Sequence, residues 1–501
     1  MIPMNPASKT ITLSLVAIGV LVALLVWKPE DRAGLKAGDP LVFYCAAGIK
    51  PPVEAVARDY EKRYGVEVQL QYGGSGTLLS SLRVAGRGDL FLAADESYLQ
   101  TARSNHIVAE IIPLATMTPV VAVRKGNPKG IHSVEDLLRA DLAVALANPD
   151  AAAVGKITRR LLTRSGHWAD LEKHAKVFKP TVNDVANDVK LGTVDAGIIW
   201  DATVNQYPEL EAVSIPELAG AVQRVSIGVL DSSGQPAEAL RFARFLAARD
   251  QGLKTFEKLG YVPVEGDVWS EKPEVVLFSG GVNRMAIEST LKAFEEREGV
   301  SVNRVYNGCG ILVSQMRAGQ RPDAYFACDV SFMHSVSDMF LEAVDLSRTD
   351  IVLLVPKGNP LGLSRLADLA RPNLRVGIAN EQQSALGALT VRMLRAEAIH
   401  DQVMPNVRVQ TPTADLLVNQ IRTGSLDVVV VYEANTSQVR DQLDVVPLHT
   451  PAAIAVQPYA VGKNSDNRLL MQRLLERLRG ADSRAKFESV GFHWQEGSSG
   501  Q

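Results

Sequence analysis

The chain writes the same phrases twice, in the same order, and this repetition limits its fold more than any other feature. VRKGNP at 123–128 returns as VPKGNP at 355–360, and DLFLAADESYL at 89–99 returns as DAYFACDVSFM at 323–333. LGTVDAGIIWDA at 191–202 returns as TGSLDVVVVYEA at 423–434, and FEKLGYVPV at 256–264 as FESVGFHWQ at 487–495. GGSGTLLSSL at 73–82 has its counterpart in NGCGILVSQM at 307–316. An interval of about 230 residues is far longer than a solenoid unit, so each copy is a whole domain. The 501 residues divide into a leader over 1–39, a first domain over 40–269 and a second over 270–501, joined at WSEKPE.

Within each copy, short apolar runs alternate with helical patterns. LVFYCAA reads as a buried strand, PVEAVARDYEKRYG as a helix closed by Gly65, and VEVQLQY as the next strand. A helix beginning around GGSGT and the strand DLFLAA follow. This βαβαβ order predicts a parallel sheet covered by helices, in an α/β fold. Ligands of such sheets sit beyond the carboxyl ends of the strands, where helix starts converge. Gly48 follows the first strand, GGSGT the second, and Asp95 the third, where it is placed to cap a helix. Glycines admit close approach to a ligand, so Ala47, Gly48, Ser75 and Gly76 form a candidate anion cradle of N–H groups and one hydroxyl. GGSGTLL lacks the Lys-Ser/Thr of a nucleotide phosphate loop, and it is not a G-x-G-x-x-G fingerprint. By itself such a turn serves structure more often than binding.

The order FYCAAGIKPPVEAVARDYEKRYGV, YGGSGTLLSSLRVAGRGDLFLAADESYL, GTVDAGIIWDA and FEKLGYVPV resembles the molybdate-binding proteins of ABC transporters over nearly all of 40–268. Residues 274–495 are similar to the same family more distantly. The resemblance implies a two-lobed flytrap in each copy, holding a tetrahedral oxyanion between its lobes by neutral hydrogen bonds and passing it to a membrane permease. Carried over by position, the family's first serine falls on Gly48 and Val282, and its second on Ser75 and Cys309. Its tyrosine falls on Trp200 and Tyr432; its second-lobe N–H donors fall near Val154 and Val185, and near Leu386 and Leu417. Most hydroxyls are therefore replaced, and oxyanion binding is expected of the first copy rather than the second. Hinges are expected at 118–123 and 223–229, and at 350–355 and 452–456.

The cysteines are three: Cys45, Cys309 and Cys328. Cys309 follows one strand and Cys328 ends the next parallel one, which puts both at one sheet edge and allows a disulfide in an oxidising compartment. A soft-metal or thiol site using His334, and two plain buried thiols, are the alternatives; a nineteen-residue spacing is not a standard zinc pattern. The eight histidines form no HxxxH cluster, and no nucleophile-base motif is present, so an enzyme ranks last.

Segment 11–27 carries seventeen residues without a charge between Lys9 and Lys28. It reads as an uncleaved membrane anchor, with a cleaved signal as the alternative; both export the remainder. A net charge of −3, with no basic run, argues against nucleic acid or anionic lipid as partner. The expectation is thus a single-pass, exported, tandem solute-binding protein without cofactor, serving an ABC permease. The alternative is a sensor or interaction scaffold built from degenerate binding domains.

Overall fold

The computed structural model describes residues 39–495. Segment 11–27, with the anchor assigned to it, lies outside them. Among the described residues no helix is long and apolar enough to cross a membrane.

The first copy opens β1 (Leu41–Ala46), α1 (Lys50–Tyr64), β2 (Val68–Gly73), α2 (Ser75–Ala85), β3 (Leu90–Ala93), α3 (Glu96–Ser104) and β4 (Val108–Met117). Gly65 closes α1 in the left-handed region at φ 70°, and Asp95 caps α3 by accepting the Ser97 N–H at 3.0 Å. The chain then crosses to a second lobe of β5 (Pro119–Arg124), β6 (Val144–Ala147), α4 (Ala153–Arg164), β7 (Val177–Lys179), α5 (Val182–Leu191), β8 (Ala196–Trp200) and β9 (Leu210–Val213). It returns through β10 (Gln223–Leu230), α6 (Pro236–Leu246) and β11 (Val262–Pro263). The two sheets have the orders β11-β4-β10-β3-β1-β2 and β7-β6-β8-β5-β9.

The second copy repeats the plan with β12 (Glu274–Gly280), α7 (Arg284–Glu298), β13 (Ser301–Asn307), α8 (Cys309–Arg317), β14 (Ala324–Phe326) and β15 (Val344–Pro356). Its second lobe holds β16 (Val376–Ala379), α9 (Ala385–Ala396), β17 (Val407–Thr411), α10 (Ala414–Arg422), β18 (Val428–Tyr432) and β19 (Leu443–Pro447). The chain returns through β20 (Ile454–Val461), α11 (Arg468–Leu478) and β21 (His493–Trp494). Here β15 runs unbroken through both lobes: its ladder passes from β20 at Asp350 to β18 at Ile351.

The duplication extends to single hydrogen bonds. Asp89 accepts the Val42 N–H at 2.9 Å, and Asp323 accepts that of Val276 at 2.8 Å. Asn127 and Asn359 both adopt positive φ, and each side chain spans its turn to Ile131 or Leu363.

The first crossing in each copy lies where expected, at Thr118 between β4 and β5 and at the Asp350–Ile351 junction of β15. The return crossing of the first copy does not. Residues 223–229 lie inside β10, paired from Gln223 against Met117, and 454–456 lie inside β20, paired from Ile454 against Asp350. Ladder hydrogen bonds stiffen these strands, so the return crossings fall just before them, at 220–222, outside the expected range, and near 453, within it.

The buried cores of the two copies are separate, and the copies meet over a charged seam. Arg244 on α6 reaches the carboxylate of Glu298 on α7 at 3.2 Å and its carbonyl at 2.6 Å, while Arg473 on α11 holds the same carboxylate at 2.6 and 3.0 Å. Arg297 pairs with Glu110, and Arg103 with Glu476 at 2.7 Å. Asp267 accepts the N–H groups of Leu469 and Leu470 at the start of α11.

Candidate ligand clefts

Three helix starts meet in the first cleft. α2 begins at Ser75 in the first lobe; α4 and α5 begin at Ala153 and Val182 in the second. The glycine turn fits between them because it has no side chains. A β-carbon on Gly74 would lie 2.3 Å from the Ala151 carbonyl and 2.8 Å from that of Pro180, and one on Gly76 would lie 2.4 Å from the Asp150 carbonyl. The lobes are shut on one another: the Gly76 N–H donates to the Ala151 carbonyl at 2.9 Å.

Ser75 is 1% exposed, and its Oγ accepts the Ala94 N–H at 3.1 Å, which leaves its own proton to give. Gly48 sits opposite the second lobe, and a methyl there would meet Val182 at 2.7 Å and the Thr203 hydroxyl at 3.3 Å, beside the Trp200 ring. The Gly48 carbonyl is held by the Tyr261 hydroxyl at 2.7 Å and by Gln206 Nε2 at 3.0 Å. Ala47 stands beside it, half-exposed. Lys156 of α4 donates to the Ser97 hydroxyl at 2.8 Å across the cleft. Asp201, which follows β8, accepts the Thr118 N–H at the hinge at 3.1 Å; burial pushes its carboxyl above the usual range despite these N–H contacts.

Of the residues carried over from the resemblance, Gly48 and Trp200 meet, Ser75 opens α2, and Val154 is the second residue of α4. Val185 lies a full turn inside α5, and its N–H is spent on the Thr181 carbonyl at 3.4 Å. The exposed helix start is Val182. Leu417 is likewise the fourth residue of α10, whereas Leu386 is the second of α9. The sequence reading missed Thr203, whose hydroxyl is buried without a hydrogen-bond partner. Its signal was its place just after the strand that ends in Trp200. It also missed Gln206, which reaches Gly48 only through folding.

The second cleft has the same frame and different chemistry. The Gly310 N–H donates to the Gln383 carbonyl at 3.0 Å, and Gly308 lies against the Gln383 and Pro412 carbonyls. Cys309 Sγ accepts the Cys328 N–H at 3.1 Å, as Ser75 accepts that of Ala94. Cys309 and Cys328 stand here as free thiols with sulfurs 2.6 Å apart. Val282 faces the core, the Tyr432 hydroxyl is buried without a partner, and the buried Tyr325 hydroxyl lies beside Cys309. Burial, with the nearby cysteines, raises the Tyr432 pKa well above its ordinary value. His334 lies at the end of a short helix, outside this group.

Two lobes joined by two crossings, with helix starts facing each other across the gap, define a bilobed binding domain, here present twice. The chain matches the family described as bacterial extracellular solute-binding protein over 41–262 and again over 275–493, and it belongs to that family as a tandem duplication of its domain. A binding protein of Haemophilus influenzae is 32% identical over 229 residues, covering 45% of this chain and 91% of its own. Molybdate-binding protein ModA of Mycobacterium tuberculosis is 28% identical over 225 residues, covering 44% of this chain and 84% of its own. Among solved structures, the periplasmic molybdate-binding protein of Azotobacter vinelandii covers 44% of this chain and 98% of its own, at 17% identity and a TM-score of 0.39.

Proposed function

We propose that the first cleft captures a small tetrahedral oxyanion of the molybdate or tungstate kind, for delivery to an ABC importer. The observation that carries this is the meeting of the starts of α2, α4 and α5 between two lobes, with the Ser75 hydroxyl at the first of them and the unpartnered Thr203 hydroxyl beside Gly48. Helix starts present N–H groups and a positive dipole end, which suit an anion without a counter-charge. The molybdate-binding relatives support this choice of ligand. In this reading segment 11–27 tethers the two domains outside the cell membrane, and the second copy does not bind the anion. Titration calorimetry of the purified chain with molybdate, tungstate, sulfate and phosphate tests the proposal. One site per chain, strongest for molybdate or tungstate, is expected. No heat with any of the four would refute it.

A further inference from the structure

The second cleft differs from the first by three changes that fit one another. Cys309 stands where Ser75 stands, Cys328 where Ala94 stands, and Gly280 where Ala46 stands. The third makes room for the second: a β-carbon on Gly280 would lie 2.0 Å from Cys328 Sγ and 3.1 Å from Cys309 Sγ. A lone serine-to-cysteine drift would need neither the second thiol nor the glycine. The sulfurs already stand 2.6 Å apart, so roughly half an ångström of movement reaches bonding distance.

We propose that Cys309 and Cys328 are an intramolecular redox pair, oxidised by thiol–disulfide exchange with a partner disulfide when the second cleft opens. The Cys309 thiolate attacks one sulfur of the partner, that S–S bond breaks, and one partner thiolate leaves. Cys328 then loses its proton and attacks Cys309 Sγ, releasing the second partner thiolate. Two protein thiols lose two electrons and two protons, and one partner disulfide becomes two thiols. Cys309 is the attacking group. Burial is the largest influence and opposes its ionisation, but hydrogen bonding with Cys328 and Tyr325 together lowers its pKa, while that of Cys328 is raised by the contact with Cys309 and by burial. Both thiols are buried, and the Gln383 and Pro412 carbonyls of the opposite lobe cover the turn that carries Cys309. Attack therefore waits on opening. The new bond joins α8 to the end of β14 within one lobe, so the cleft remains free to open after oxidation. This inference uses no residue of the first cleft and is independent of the anion proposal.

The test is thiol counting on the reduced full chain after incubation with oxidised glutathione, with alkylation in denaturant and peptide mass analysis. One alkylated thiol, Cys45, and a linked peptide pair containing Cys309 and Cys328 are expected. Three free thiols at saturating oxidant would overturn the proposal, as would a bond involving Cys45. Cys328→Ser should instead trap glutathione on Cys309; an unmodified Cys309 in that variant would remove its role as attacker. Gly310→Ala tests the gate, since the added carbon would lie 1.9 Å from the Gln382 carbonyl and hold the lobes apart. Oxidation at least tenfold faster than in the parent is expected, with Cys45 still protected in the native state as the check on folding. Equal rates in the two proteins, or loss of Cys45 protection alongside the acceleration, would overturn the opening step.

Discussion

Gly76 in one lobe of the first copy gives its N–H to the Ala151 carbonyl of the other lobe at 2.9 Å, so backbone closes the cleft on backbone. Only glycine allows this approach. Gly76→Ala would set a carbon 2.4 Å from the Asp150 carbonyl and prop the lobes apart. We expect anion affinity to fall by more than tenfold, about 1.4 kcal/mol, because contacts from the second lobe are lost. Small-angle scattering with saturating molybdate should show the parent more compact than the variant. Equal radii and equal affinities would remove closure from the binding step.

Ser75 and Cys309 occupy equivalent positions, and their chemistry separates the two clefts. A hydroxyl is a good donor to an oxyanion and a thiol a weak one. Ser75→Ala should weaken molybdate binding by about 1.5–3 kcal/mol. Cys309→Ala should leave the calorimetric affinity unchanged. The reverse pattern would make the second cleft the working one.

Thr203 carries a buried hydroxyl with no partner in the closed first cleft. Such a group costs about 1–3 kcal/mol unless something bonds to it. Thr203→Val should therefore raise the melting temperature of the ligand-free protein while lowering its molybdate affinity. A variant of lower stability with unchanged affinity would mark Thr203 as ordinary core.

Glu298 lies buried at the seam between the copies. Burial would raise its pKa, but Arg473 first and then Arg244 outweigh that and bring it below the usual 4.5. A carboxylate whose folded pKa is depressed stabilises above its unfolded value, and the contribution is lost as pH falls through the folded one. The seam should accordingly loosen below about pH 4.5, seen as the melting transition splitting in two. Glu298→Ala leaves buried arginine charge uncompensated and should cost about 3–5 kcal/mol at neutral pH. An acid limb identical in the parent and in Glu298→Gln would show that another group governs it.

The repeated phrases by themselves determined that two like domains follow one another, and the alternation of apolar runs and helical patterns determined an α/β layout. Both are local, since repetition and periodicity survive in one dimension. Ser75, Gly48 and the glycine turn were legible for the same reason: strand ends and helix starts are marked by nearby residues. What only the tertiary structure decided depends on which distant backbones touch. Val185 seemed a donor until its helix start was seen to lie at Val182. Thr203 and Gln206 reach the cleft through the closure of one lobe on another, a contact that no sequence interval encodes. The first return crossing moved because antiparallel pairing, set by a partner more than a hundred residues away, stiffens β10 from its first residue. The role of Gly280 is of the same kind, for the space it leaves is filled by the sulfur of Cys328, just beyond the end of a neighbouring strand. Burial, closure and register are properties of the packed chain, and they decided which of the legible residues meet.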